Sequence, residues 1–198
     1  MERLKLALEG EQPLRDVELT HEDLGLIAGF RFLSLKPLLL LLNQPEESVG
    51  AGAPAEIAGL AEAKRLSAIA MSGKVEMDIA QLAPDEQREF LQDLGIAEPA
   101  RDRFIRAAYS LLDLISFLTS GEDECRAWSI KRGTTAHKAA GVIHSDIERG
   151  FIRAEVTRFE DLAELGSEGR CREHGKLKLE GKDYIVQDGD VVHFRFNV

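Results

Sequence analysis

Cysteine is scarce. There are two in 198 residues, Cys125 and Cys171, neither in a CxxC nor at a metal-ligand spacing. That leaves no disulfide framework and no cysteine metal site, and makes a reduced cytoplasmic protein the default. Read from their neighbours, Cys125 packs near the start of a strand and Cys171 is an accessible thiol. Basic charge is in the minority: 25 Lys and Arg stand against 35 Asp and Glu, a formal net charge of -10. Attraction to phosphate needs clustered Lys and Arg, so a generic nucleic-acid binder is excluded and any RNA contact has to be local. Long apolar runs are missing too. Leu38 to Leu42 is far short of the ~20 residues a bilayer span needs, and MERLKLALEG lacks the apolar centre of a signal peptide, so no membrane partner is expected. Finally, no G-x-x-x-x-G-K-[ST] phosphate loop occurs. Gly73-Lys74 is a decoy, because Val75 follows and Ala68 stands where the first Gly belongs. Without such a loop no main-chain nest, lysine or Ser/Thr hydroxyl is supplied for β- and γ-phosphates and Mg²⁺.

What is present is an ordinary globular composition, 44% hydrophobic and 30% charged, long enough for one full core or two modest ones. Met1 to Gly10 has Leu4 and Leu8 at helical spacing. Thr20 to Asp23 reads as a helix start, with Thr20 as N-cap and Asp23 where a capping-box acid belongs; Leu24, Ile27, Ala28, Phe30 and Leu33 supply its buried side. Leu38 to Leu42, apolar on both faces, suits a central strand of a parallel sheet, stopped at Asn43. After a Gly/Ala loop, Ala55 to Lys64 reads as a helix and Leu66 to Met71 as a second strand, ending in Ser72-Gly73-Lys74 before a helix from Val75 to Leu82. Two strand-turn-helix units in succession open their turns on the same sheet edge, where open α/β sheets bind ligands. Pro84 to Leu94 is a helix closed by Gly95. Ala100 to Leu118 reads as one longer helix, and Arg101, Arg103 and Arg106 read as its solvated face.

From Gly121 on, the pattern changes. Cys125 to Ile130 reads as a strand, Thr134 to Asp146 as a helix with Thr134-Thr135 as capping candidates, Phe151 to Thr157 as a strand and Phe159 to Leu165 as a short helix. Tyr184 to Val186 and Val191 to Phe196 flank Asp188-Gly189, a hairpin signal. In the closing strand Val192, Phe194, Phe196 and Val198 fall on one face and Val191, His193, Arg195 and Asn197 on the other, as on an edge or terminal strand. Together these make a small α+β sheet with a helix on one face.

The runs RAWSIKRGTTAHKAAGVIHSDIERGFIRAEV and LEGKDYIVQDGDVVHFRFNV resemble the C-terminal TGS domain, a β-grasp fold, of the YchF subfamily of Obg-like P-loop ATPases. The resemblance extends upstream. Asn43-Gln44-Pro45-Glu46 is similar to the N-x-x-E motif that replaces N-K-x-D in this subfamily, and Ser72-Gly73 to the small-residue loop after the next strand. It implies an α/β remnant of a P-loop NTPase parallel sheet followed by an α+β TGS domain. The parts would be the end of a helical insertion (1–33), the C-terminal part of the nucleotide domain (34–120) and the TGS domain (121–198), with the phosphate-loop segments upstream of residue 1. A parallel sheet without its early strands would leave an edge and apolar faces uncovered, so residues up to about Leu118 are expected either to associate through the partial sheet or to be only marginally ordered.

The resemblance also implies that Asn43, Gln44, Glu46, Ser72 and Gly73 surround the purine of ATP or GTP. An Asn amide both donates and accepts, so it can grip a purine edge. Glu46 is one methylene longer than the Asp that reads guanine, which permits ATP. Gln44 lies beside the base, and Ser72 and Gly73 offer backbone N–H groups, Gly removing the Cβ obstacle. Pro45 departs from the pattern and removes a donor. Two readings stand for Arg126, Lys131, Arg132, Lys138, Arg149, Arg153, His193 and Arg195: a basic surface for ribosome or RNA, or ordinary exposed charge. His144 with Asp146 reads as a helix-end pair without a nucleophile. Three functions follow: a binding portion of a YchF-like protein, inactive alone; an ATP or GTP hydrolase when completed by the P-loop half; and a plain protein-interaction module with vestigial nucleotide turns.

Overall fold

The computed structural model describes residues 2–121 and 124–197; Glu122 and Asp123, and Val198 of the expected apolar strand face, lie outside them. The contacts divide the chain between Leu111 and Leu112, and each unit has its own core.

In the first unit, α1 (Glu2–Glu9) and α2 (His21–Ile27) bury Leu4 and Ile27 against Leu14. The capping box at α2 is as expected: Thr20 Oγ1 accepts from the Asp23 N–H at 3.1 Å, and Asp23 Oδ2 accepts from the Thr20 N–H at 3.0 Å. The buried side is not. Of the five residues assigned to it, only Ile27 is buried; Leu24, Phe30 (62% exposed) and Leu33 (79%) are open, as is neighbouring Leu26 (73%). Next come β1 (Leu39–Asn43), α3 (Ala55–Ala63), β2 (Ser67–Met71), α4 (Gly73–Gln81), α5 (Pro84–Asp93) and α6 (Ala100–Leu111). β1 and β2 pair in parallel, with Asn43 opposite Met71. Their sheet has two strands among the described residues, so β1 is not covered on both faces, and Leu41 is exposed. Val75, Ile79 and Leu91 form a small core between α4 and α5.

The stripe Leu111, Leu112, Ile115, Leu118 continues a helical period, yet the helix stops at Leu111. Asp113 takes a left-handed φ of 52°, and Leu114–Ser120 becomes strand β3. Its Ile115 and Phe117 are core residues of the second unit, which therefore begins near Leu112 rather than at Gly121.

That second unit is a five-stranded mixed sheet in the order β4-β3-β7-β5-β6, built from β3, β4 (Cys125–Lys131), β5 (Phe151–Arg158), β6 (Lys178–Glu180) and β7 (Asp190–Phe196). Helix α7 (Ala136–Ile143) lies on one face, its Ala136, Ala139 and Ala140 against Phe117, Phe151, Val156, Val192 and Phe194. This is the sheet with one helix read from the sequence, with corrected wiring. The helix expected from Thr134 to Asp146 is two: α7, capped by Thr135 Oγ1, and α8 (Ser145–Arg149), capped by His144 Nδ1. No hairpin joins 184–186 to 191–196. Ile185 makes one bridge to Thr135, and β7 pairs antiparallel to β5 and parallel to β3, so it is central, not an edge. Val191 is buried with Val192 and Phe194, whereas Phe196 is exposed. α9 (Phe159–Leu165) and α10 (Glu168–Glu173) follow β5. The cysteines are reversed from expectation: Cys125 is exposed and Cys171 is fully buried.

Candidate functional site

The turns after β1 and β2 come together because the strands are parallel and in register to their ends. The Gln44 N–H donates to the Met71 carbonyl at 2.8 Å, extending the ladder one residue past Asn43. Asn43 Oδ1 accepts from the Gly73 N–H, the first of α4, at 2.9 Å. A Cβ on Gly73 would stand 3.3 Å from that oxygen, tighter than usual contact, so glycine suits this approach. The amide is thereby oriented: Oδ1 is engaged, and Nδ2 has no protein acceptor among the described residues. Asn43 thus keeps a donor for a ligand, whereas the Gly73 N–H, expected to face the base, is used by Asn43. The Gln44 N–H is also spent, which leaves its side chain.

The other predicted residues separate. Glu46 pairs with Lys74, whose ammonium is held charged above its ordinary range by this carboxylate. Ser72 is buried and, with Gln44, lines a cavity of about 300 Å³ whose walls include Val49, Met71, Ile96 and Arg103. That is the lower end of small-molecule pockets. Sequence reasoning missed two groups here. Arg103, read as solvated, donates from Nη2 to the Ala70 carbonyl at 3.0 Å. Glu76 accepts from the Ala100 and Arg101 N–H groups at 2.7 and 3.2 Å, capping α6. Both lie in helical patterns whose distant partners are invisible locally. Of the five predicted residues, Gln44 and Ser72 line this cavity, whereas Asn43, Glu46 and Gly73 do not. The triphosphate and Mg²⁺ are not fitted: no phosphate loop is present, and no group of three His, Cys, Asp or Glu that could hold a metal occurs among the described residues.

In the second unit the predicted basic residues do not form one surface. Arg126 lies over Trp128, 4.2 Å from the ring centroid, on the strand face that carries core Ile130. Lys131 donates to the Leu112 carbonyl, Arg132 pairs with Asp113 at 3.1 Å, Lys138 with Glu148 at 2.7 Å and Arg149 with Asp146 at 2.6 Å. Arg153 and Arg195 do meet, opposite one another on β5 and β7 and joined by Arg172 of α10. All three surround Glu155, which is 6% exposed. Arg195 holds it with two parallel bonds, Nε to Oε1 at 3.1 Å and Nη2 to Oε2 at 3.0 Å; Arg172 stands at 3.3 Å and Arg153 at 3.7 Å. Hydrogen bonding from Arg195, with the fields of Arg195, Arg172 and His193, holds the carboxyl below its usual range against the cost of burial. His144 accepts from the Asp146 N–H at 3.1 Å, the helix-end arrangement expected.

Comparison with known proteins follows the same division. Residues 114–197 match the family model YchF-GTPase_C, described as "Protein of unknown function (DUF933)". The whole chain aligns with the Ribosome-binding ATPase YchF of Bacillus subtilis at 46% identity over 202 residues, which is 55% of that protein. It aligns with the Obg-like ATPase 1 of Caenorhabditis elegans at 37% identity, covering 98% of the chain and 50% of the relative. The solved structure of the Schizosaccharomyces pombe YchF GTPase superposes with a TM-score of 0.86 at 30% identity, covering 98% of this chain and 53% of that one. The chain thus spans about half the length of the curated relatives it matches. Residues 114–197 carry the YchF-GTPase_C domain, and the chain as a whole is similar to the C-terminal portion of YchF and Obg-like proteins.

Proposed function

We propose that this chain contributes the purine-contacting turns of a YchF-type nucleotide site and carries a β-grasp TGS unit that docks ribosome or RNA, acting in the cytoplasm. On this reading it does not hydrolyse nucleotide by itself. The observation that carries it is the Asn43–Gly73 bond: an amide fixed at the ends of two parallel strands, with one donor left over, in a sequence without a phosphate loop. Most nucleotide affinity in P-loop proteins comes from the phosphates and Mg²⁺, so the base contacts alone hold ATP or GTP weakly. Ribosome docking is supported by the name of the Bacillus subtilis relative, a ribosome-binding ATPase. Titration of a fluorescent ATP analogue against a GTP analogue is expected to give dissociation constants weaker than about 1 mM, some 4 kcal/mol of binding. Micromolar binding of either would overturn the reading.

A second reading has its own support. The relatives are named ATPases and are about twice as long as this chain. Hydrolysis would then return when a P-loop half is supplied. ATP turnover on mixing this chain with the remaining half of a relative tests it; no turnover in a mixture that forms a stable complex would sink it.

A further inference from the structure

The cluster around Glu155 has more positive charge than its structural role uses. One buried carboxylate would be satisfied by the bidentate Arg195 alone, yet Arg172 and Arg153 also converge on it, from a helix and from the same strand. Glu168 of α10 is a further acid near enough to act on Arg195. Three guanidiniums against these two carboxylates leave a local surplus, with His193 directly across from Glu155 on β7. The surplus sits in a chain of net charge -10.

Geometry places the surplus on one face. Glu155 is paired in register with Leu179 on β6 and His193 on β7, and Arg153 with Arg195, so these side chains leave the sheet on the side away from α7. There Arg153, Arg172 and Arg195 edge a shallow cavity walled by Leu177 and Leu179. Arg153 and Arg195 are about half exposed and Arg172 is 63% exposed. A guanidinium has five N–H donors, and Arg195 spends two on Glu155, so donors remain on its outer edge. Glu155 also fixes the Arg195 fork and anchors Arg172 by one bond before any ligand arrives, which lowers the ordering cost of binding. Planar, pre-oriented guanidiniums beside apolar side chains suit a chain of oxyanions joined by less polar units.

We infer that Arg153, Arg172 and Arg195, positioned by Glu155 on the face of the terminal sheet away from α7, form a cradle for the phosphodiester backbone of single-stranded RNA. The inference rests on the docking reading above and narrows it to one face and three residues. It leaves Arg126, Arg132, Lys138 and Arg149 outside the contact.

The test titrates the full chain against a labelled single-stranded oligoribonucleotide at several salt concentrations. The variants are the pair Arg153→Ala with Arg172→Ala, the pair Arg153→Lys with Arg172→Lys, and as control the pair Arg132→Ala with Lys138→Ala. Losing two phosphate contacts should reduce the salt slope by about 1.4 and the affinity about tenfold near ~0.15 M salt. The lysine pair should keep the slope and lose affinity several-fold, because the fork is gone while the charge stays. The control, which removes the same charge elsewhere, should stay within about twofold. Equal losses in the control and alanine pairs would mean diffuse charge and no cradle. Unchanged binding by the alanine pair would remove the cradle and leave the docking reading standing. No binding by the parent chain would remove both. Tighter binding of a polyglutamate peptide through the same arginines would replace RNA with an acidic protein partner. If the alanine pair does not fold, the lysine pair decides, and undiminished affinity there overturns the inference.

Discussion

Glu155 shows how one side chain can carry both stability and charge placement. Its carboxyl is held below the ordinary carboxylate range by Arg195, then by the charges around it. A depressed value means that the folded state binds the proton more weakly than the unfolded state. The stabilisation is therefore present above the usual carboxylate range and is lost as pH falls through the folded value. The melting temperature of the terminal unit should fall as the pH drops below the ordinary glutamate range of about 4 to 5. In Glu155→Gln the drop should be smaller, and the variant should start about 1 kcal/mol less stable at neutral pH, because its arginine partners are half in solvent. Parallel pH profiles for parent and variant would show that Glu155 contributes nothing to the acid limb. At this scale the sequence was legible where partners are close. Thr20 and Asp23, three apart, announce their mutual bonds. Asn43 is picked out by its place at a strand end, but the sequence does not reveal that its oxygen is committed to Gly73, thirty residues on. Arg172 was missed for the same reason: it lies in a polar helix, and its partner is on another element.

Among the elements, the junction of β5 and β7 is the most constrained. Gly150 precedes β5, and its N–H and carbonyl bond the Asp146 carbonyl and the Asn197 N–H. A Cβ at Gly150 would overlap the Asn197 main chain, beside the register shift between Phe151 and Arg153. Gly150→Ala should cost about 2 kcal/mol, within the usual range for forcing extra atoms into a filled site, and should lower the midpoint of denaturant unfolding without changing its slope. A midpoint equal to the parent's would show that the strand ends can part freely. Element types were read well where a short apolar or periodic run is bounded by turn residues, as at β1, β2, β4, β5 and α9. They failed where a local signal pointed the wrong way. Asp188-Gly189 is a good turn dipeptide, but Tyr184 to Val186 before it is not a strand, so the turn feeds β7 into the middle of the sheet. The leucines between α6 and β3 keep an apolar rhythm across a boundary marked only by the left-handed Asp113.

On the scale of the whole molecule, the two units differ in how well their apolar surface is covered. The second has one continuous core around Phe117, Phe151 and Phe194, with edge-to-face or tilted ring contacts at 6.0 Å. The first has two small clusters and leaves Leu26, Phe30, Leu33 and Leu41 open. Partly covered units open locally more often and are cut first. Brief proteolysis followed by mass spectrometry should release a resistant fragment beginning near Leu112 while residues before it are degraded. A chain that resists along its full length as a monomer would contradict this.

Because β7 lies between β3 and β5 although it is made after both, the terminal sheet cannot close in the order of synthesis. While the ribosome is still adding residues beyond Gly189, the β3–β4 pair and the β5–β6 pair each present a bare inner edge. Contacts that join strands so far apart in sequence form slowly, and exposed edges invite wrong partners. Any delay in the arrival of Asp190–Phe196 lengthens that exposed interval.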